Sequence, residues 1–288
     1  MAIAIPAGTW LRGRERRLSL TTSRSLLLNW TAVSLVLVVT TVAIAVPLIA
    51  PHDPLLPVGM PLQAPGKSGF VLGSDSIGRD ILSRVLYGVR ASWFAALVVV
   101  AVGLIIGGLV GLIAGAAGGW IDGLLMRITD AFLSLPAPVL AIAVVAAMGP
   151  GFIHTLIAVS IVWWPFYARL VRGEVARLAA RPHVEAARLA GVGPIRLAGR
   201  HLLPGAVPNA LVAASLDIGT LILTLAALSF LGLGQSAPAP ELGADAARNL
   251  SYFLQQWWIP VMPGLGVLVL AVIANLAGDG LRSLMKAS

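Results

Sequence analysis

The chain has 288 residues, 58% of them hydrophobic and 11% charged, with a formal net charge of +8, a mean hydropathy of +0.92 and no cysteine. A soluble domain carries about 25% charged residues, so a wholly water-exposed surface is excluded and a membrane location follows. Without cysteine there is no disulfide framework, thiolate metal site or cysteine nucleophile.

The first 25 residues hold Arg12, Arg14, Arg16, Arg17 and Arg24 ahead of an apolar run at 26–50. That run exceeds the 7–15 apolar residues of a cleaved signal, so it reads as a retained span. A span needs about 20 apolar residues, and further candidates lie at 93–117, 135–148, 152–170, 206–233 and 263–281. Backbone groups in lipid are paired within helices, so the chain reads as an all-α membrane protein with about six transmembrane helices. The run at 135–148 is short and contains Pro136 and Pro138.

Lys and Arg set orientation through the short loops. The N-terminal arginines place that end in the cytoplasm, with segments 118–134, 171–205 and the tail 283–288 on the same side. The middle one holds Arg172, Arg177, Arg181, Arg188, Arg196 and Arg200, and the C-terminal end carries Arg282 and Lys286. Segment 51–92 is expected outside despite Lys67, Arg79, Arg84 and Arg90; its Asp53, Asp75 and Asp80 make it an amphipathic surface element.

In the second span Gly103, Gly107, Gly111 and Gly115 recur every four residues, which lets another backbone approach closely. Packing within the chain is preferred here over a dimerisation face. Gly66-Lys67-Ser68 has Pro61 where a phosphate-binding loop needs glycine, so nucleotide hydrolysis by this chain is not expected. His52, His154, His183 and His201 show no metal-ligand spacing, and no Ser/His/Asp set groups for catalysis. Asp217 is the clearest ionisable residue within a span, with Thr220 and Thr224 on its helix face. These three are candidate pathway-lining residues; the alternative is an Asp217 near enough to the interface to reach water or arginine.

The basic segment 171–205 carries the most specific pattern. Pro182 suits a helix's first turn, Glu185 favours its positive end, and Gly191 is placed to stop it in the left-handed conformation. Pro194 can open a second helix, which Pro204 is expected to interrupt or redirect before the fifth span. A DNA-binding helix-turn-helix has similar elements but would clash with the flanking spans, so a docking element for a cytoplasmic partner fits better.

Glu185-Ala186-Ala187, Gly191 and Leu203-Pro204 match the spacing of the EAA loop, E-A-A-x3-G-x9-I-x-L-P, of permeases in binding-protein-dependent ABC importers, with His201 at the Ile position. Residues 72–84, including Gly73, Asp75, Gly78, Arg79 and Asp80, resemble the external signature of the second permease subunit of the dipeptide/oligopeptide/nickel group. Residues 228–234 and 275–282 resemble two further motifs of that group. Where relatives commonly have an acidic residue before Ala-Ala-Leu-Ser-Phe the chain has Leu225, and Leu242 stands where Trp is usual.

The resemblance implies a type I ABC importer permease fold, with a core of five transmembrane helices over 93–282, the extra first helix, and a cytoplasmic EAA coupling loop. It implies no catalytic role, no cofactor or metal on this chain, and ATP and magnesium in the partner ATPases. The implied partners are a homologous second permease, two ATP-binding subunits and an external binding protein, in the bacterial inner membrane. The substrate expected is a di- or oligopeptide, with nickel, glutathione or another small solute as alternatives. An ion-coupled secondary carrier should show internal repeats and several intramembrane charges; a structural scaffold would not need the EAA spacing.

Overall fold

The computed structural model describes residues 34–67 and 69–287, so the N-terminal arginines and the start of the first expected span lie outside the described residues. Ten α-helices follow in order among the described residues. They are α1 (Ser34–Ile49), α2 (Ile81–Ala117), α3 (Gly119–Leu133), α4 (Ala137–Met148), α5 (Phe152–Ala179), α6 (Pro182–Leu189), α7 (Pro194–Leu197), α8 (Leu203–Phe230), α9 (Leu242–Arg248) and α10 (Trp258–Ala287). The expected runs fall on α1, α2, α4, α5, α8 and α10, with α1 a shorter apolar helix of 16 described residues.

Among the described residues four stretches are long and apolar enough to cross a membrane, namely α2, α5, Pro194–Phe230 and the Trp258–Met285 part of α10, or five if α3 and α4 form one broken span. That pair corrects the expected run at 135–148. The apolar helix α4 has 12 residues, about 18 Å, and meets α3 at a bend of 86°. Pro136 is the N-cap of α4, with φ −58° and ψ 124°; it cannot continue α3, because it lacks an N–H and its ring would clash with the carbonyl four residues back. Segment 118–134, expected as a loop, is therefore largely α3.

The outer boundaries also move. The helix α2 begins at Ile81 and runs 37 residues, about 55 Å, well beyond a hydrocarbon core of about 30 Å. Residues 81–92 thus belong to the second helix rather than to a separate surface element. Asp80 caps it, its carboxylate accepting from the backbone N–H groups of Leu82 and Ser83. At the other end of the chain the expected tail 283–288 is helical through Ala287, as the last turns of α10.

The glycine stripe of α2 packs against α5. A side chain at Gly107 would overlap the carbonyl oxygen of Trp164, and one at Gly111 would lie 2.5 Å from that of Ala168. Gly103 and Gly115 meet Tyr167 and Arg172 in the same row, so the stripe serves packing within the chain. Nearer the start of α2, Trp93 is fully buried and donates its indole N–H to Thr40 on α1 at 3.1 Å. Outward-facing Ile105, Leu109, Ile113, Leu268 and Val272 leave the bundle with an aliphatic exterior suited to lipid.

The coupling loop and the membrane-embedded polar site

The segment after α5 folds as the expected helix, glycine turn, helix. Pro182 opens α6 at its first position and Glu185 lies in its first turn. Gly191 has φ +81°; its N–H bonds to Arg188 O at 3.0 Å and that of Val192 to Ala187 O at 3.1 Å. This pair of bonds closes the helix in a Schellman motif, which needs a left-handed residue and so favours glycine.

The loop is anchored on one side and open on the other. Val184 is fully buried in a cluster with Val171, Val175, Leu178, Leu197, Leu202, Ala206 and Ala210. Burying such a side chain stabilises the position by about 1.5–3 kcal/mol. Glu185, Ala186 and Arg188 are exposed, while Ala187 is half-buried against the cluster. Leu189 and Ile195, 84% and 89% exposed, project from the same loop. The pattern E-A-A did not single them out, although two large aliphatic side chains beside a glycine turn were a readable signal.

Leu203 and Pro204 stand differently from expectation. Leu202 is the buried residue, whereas Leu203 is 40% exposed. Pro204 does not interrupt the helix, which is continuous over Pro194–Phe230. The turn at Ala198–Leu202 is π-helical, and Leu203 N–H bonds to Ala198 O. Widening the helix just before Pro204 relieves the clash of its ring with the carbonyl four residues back.

Asp217 sits on α8 within the bundle, partly buried. Its Oδ2 accepts from Trp163 Nε1 at 2.6 Å and from Tyr167 Oη at 3.0 Å, both on α5. Neither water at the interface nor an arginine is needed to explain its partners. Thr220 is exposed, and Thr224 bonds back to Thr220 O at 2.8 Å, so neither threonine joins the carboxylate. The arrangement links α5 and α8, the two long helices that flank the coupling loop.

At the far end of the bundle the signature residues build a folded cap. Asp75 is buried and accepts from the N–H groups of Ile77 and Arg79 at 3.0 and 2.9 Å, and from Arg79 Nε at 2.6 Å. Asp80 also accepts from Ser83 Oγ at 2.6 Å. Gly73 lies against Gln63 O and the Trp258 ring, and Gly78 against the Gly59 backbone, where no side chain fits. Arg84 makes a two-pronged pair with Asp245 of α9 at 2.6 and 3.1 Å and donates to Pro54 O at 2.8 Å. Arg79 and Arg84, which run against the orientation rule, are thus neutralised within this cap. Glu241 is buried as the cap of α9, accepting from Gly243 and Ala244 N–H, and burial holds its carboxyl above the usual glutamate range. In place of the usual Trp, Leu242 packs against Gly88 and Gly266.

These features have counterparts in known proteins. Residues 107–286 match the family model described as "Binding-protein-dependent transport system inner membrane component". The probable D,D-dipeptide transport system permease protein DdpC of Escherichia coli is 42% identical over 83% of this chain and 80% of its own length. The di/tripeptide transport system permease protein DppC of Pseudomonas aeruginosa is 42% identical over 83% and 81%. The glutathione transport system permease protein GsiD of Pectobacterium atrosepticum is 43% identical over 75% and 71%. Among solved structures, an inward-facing MetNI methionine ABC transporter aligns with a TM-score of 0.57 at 21% identity, over 70% of this chain and 95% of that one, which shows the fold. The chain belongs to the inner-membrane permease family of binding-protein-dependent ABC importers, whose members are transport subunits and not enzymes.

Proposed function

We propose that the chain forms half of a translocation pathway for di- or oligopeptides, coupled through α6 to an ATPase. The carrying observation is the geometry of α6: one side held in the bundle by Val184, the other exposed with Glu185, Ala186 and Leu189. Peptide as substrate is supported by relatives named for dipeptide and di/tripeptide transport. Glutathione is a second reading, carried by one relative of similar identity.

In this reading the N- and C-termini and the α6–α7 loop are cytoplasmic, and the cap built on Asp75, Asp80 and Arg84 is external. Two ATP-binding subunits, a homologous second permease and an external binding protein complete the transporter. ATP and magnesium belong to the ATPases, and this chain contributes no cofactor site. Closure of the ATPases draws the coupling loops together, and α5 and α8 transmit that motion as rigid elements to the pathway. Asp217 lies between these two helices and is proposed to border the pathway. Reconstitution of the transporter with its binding protein tests the reading. Uptake of labelled dipeptide that requires ATP and binding protein supports it, whereas uptake driven by an ion gradient without the ATPases contradicts it.

A further inference from the structure

At the end of the bundle opposite the α6–α7 loop, arginines and carboxylates are matched with one exception. Arg79 pairs with Asp75, and Arg84 and Arg248 share Asp245. Asp80 and Glu241 are occupied in capping helices, and Asp53 accepts from Leu55 N–H. Among the described residues at this end, Arg90 is the arginine with no carboxylate partner. It opens on a hollow of about 350 Å³ that it lines with Tyr87, Phe94, Phe152 and Gln235.

That hollow does not end at the headgroup level. Past Val98 and Leu156, which line both, a second hollow of about 510 Å³ continues between α2 and α5. It is lined by Val102, Ile106, Ile157 and Trp164, with Ser160 as its one hydroxyl. From Arg90 to Ile106 is about 24 Å along α2, longer than the roughly 15 Å hydrocarbon depth of one leaflet. The trough follows the flank of the glycine-packed α2–α5 contact, a narrow valley between two close helices.

We propose that this trough holds a phospholipid, its phosphate on the Arg90 guanidinium and one acyl chain between α2 and α5. A guanidinium at the hydrocarbon boundary is costly without an anion, and its planar fork matches phosphate oxygens. An aliphatic valley within a bilayer gains nothing from water and is filled by an acyl chain, which is as apolar as its walls.

The test uses the assembled transporter in nanodiscs of phosphatidylcholine with added phosphatidylglycerol, followed by native mass spectrometry of retained lipid. Arg90→Gln removes the anchor, and Val102→Trp fills the trough. The wild type should retain one more phosphatidylglycerol per complex than either variant, with retention falling at least fivefold, while soluble glycerol phosphate does not compete. Equal retention in wild type and both variants overturns the proposal. So does loss of the second permease from either variant, because the trough would then belong to the subunit interface. Full competition by glycerol phosphate also overturns it, reducing the site to a bare anion contact.

Discussion

Asp217 Oδ2 lies 2.6 Å from Trp163 Nε1, and this contact ties α8 to α5 across the middle of the bundle. Both helices lead into the α6–α7 loop, so in the proposed mechanism the bond joins the two levers that move together. Trp163→Phe keeps an aromatic side chain but removes the donor, and a buried hydrogen bond is worth about 0.5–1.5 kcal/mol. Thermal unfolding in detergent should register that loss. Asp217→Asn should lower reconstituted uptake per ATP hydrolysed, and an unchanged rate and substrate preference would remove Asp217 from the pathway.

Gly191 occupies a conformation that costs a side chain about 1–2 kcal/mol. Gly191→Val should leave membrane insertion intact while weakening ATPase assembly or substrate-stimulated hydrolysis. Normal coupled hydrolysis and uptake in that variant would refute the docking role of the loop.

Gly107 and Gly108 form an internal control. A Cβ at Gly107 overlaps backbone of α5, whereas at Gly108 nothing lies within 4 Å. Gly107→Ala is expected to destabilise by about 1–3 kcal/mol through overpacking, and Gly108→Ala by no more than about 0.5 kcal/mol. Chemical unfolding of the two variants side by side checks the ranking.

Arg84 and Asp245 are both nearly excluded from solvent, at 4% and 6% side-chain exposure. Removing Arg84 leaves the buried Asp245 carboxylate with only the longer, more exposed Arg248 contact at 3.3 Å, so Arg84→Leu should cost about 3 kcal/mol. Replacing both, as Arg84→Met with Asp245→Leu, should recover most of it. A double variant as unstable as the single one would show that the pair is not the source of the effect.

Glu241 supplies a pH signature for the same cap. Burial raises its carboxyl above the usual value, so the folded chain binds this proton more tightly than the unfolded chain. Its contribution is fully present below the ordinary glutamate value and declines as pH rises through the folded value. Thermal stability of the wild type should therefore fall over that window, and Glu241→Gln should lack that component.

Legibility followed the range of the interactions. The α6 turn was readable because Pro182, Glu185 and Gly191 act within one or two helical turns. The glycine stripe of α2 was readable for the same reason, although its partner on α5 was not. What escaped were contacts between residues distant in the chain: Asp217 with Trp163, and Arg84 with Asp245, more than 50 and 160 positions apart respectively. Pro204 misled because proline usually ends a helix, whereas here a π-helical turn at Ala198–Leu202 absorbs it. The α3/α4 bend was signalled by Pro136 and Pro138 only as shortness, with no angle in the composition.

The most direct test of the coupling role uses the absence of cysteine from the chain. A single Ala186→Cys substitution on the exposed face of α6, paired with single cysteines along the candidate groove of the ATPase subunit, can be crosslinked in the assembled transporter. The account predicts a crosslink to the ATPase that forms in the resting state and changes in yield when ATP is bound. Failure to crosslink in a complex that still transports with ATP would contradict it.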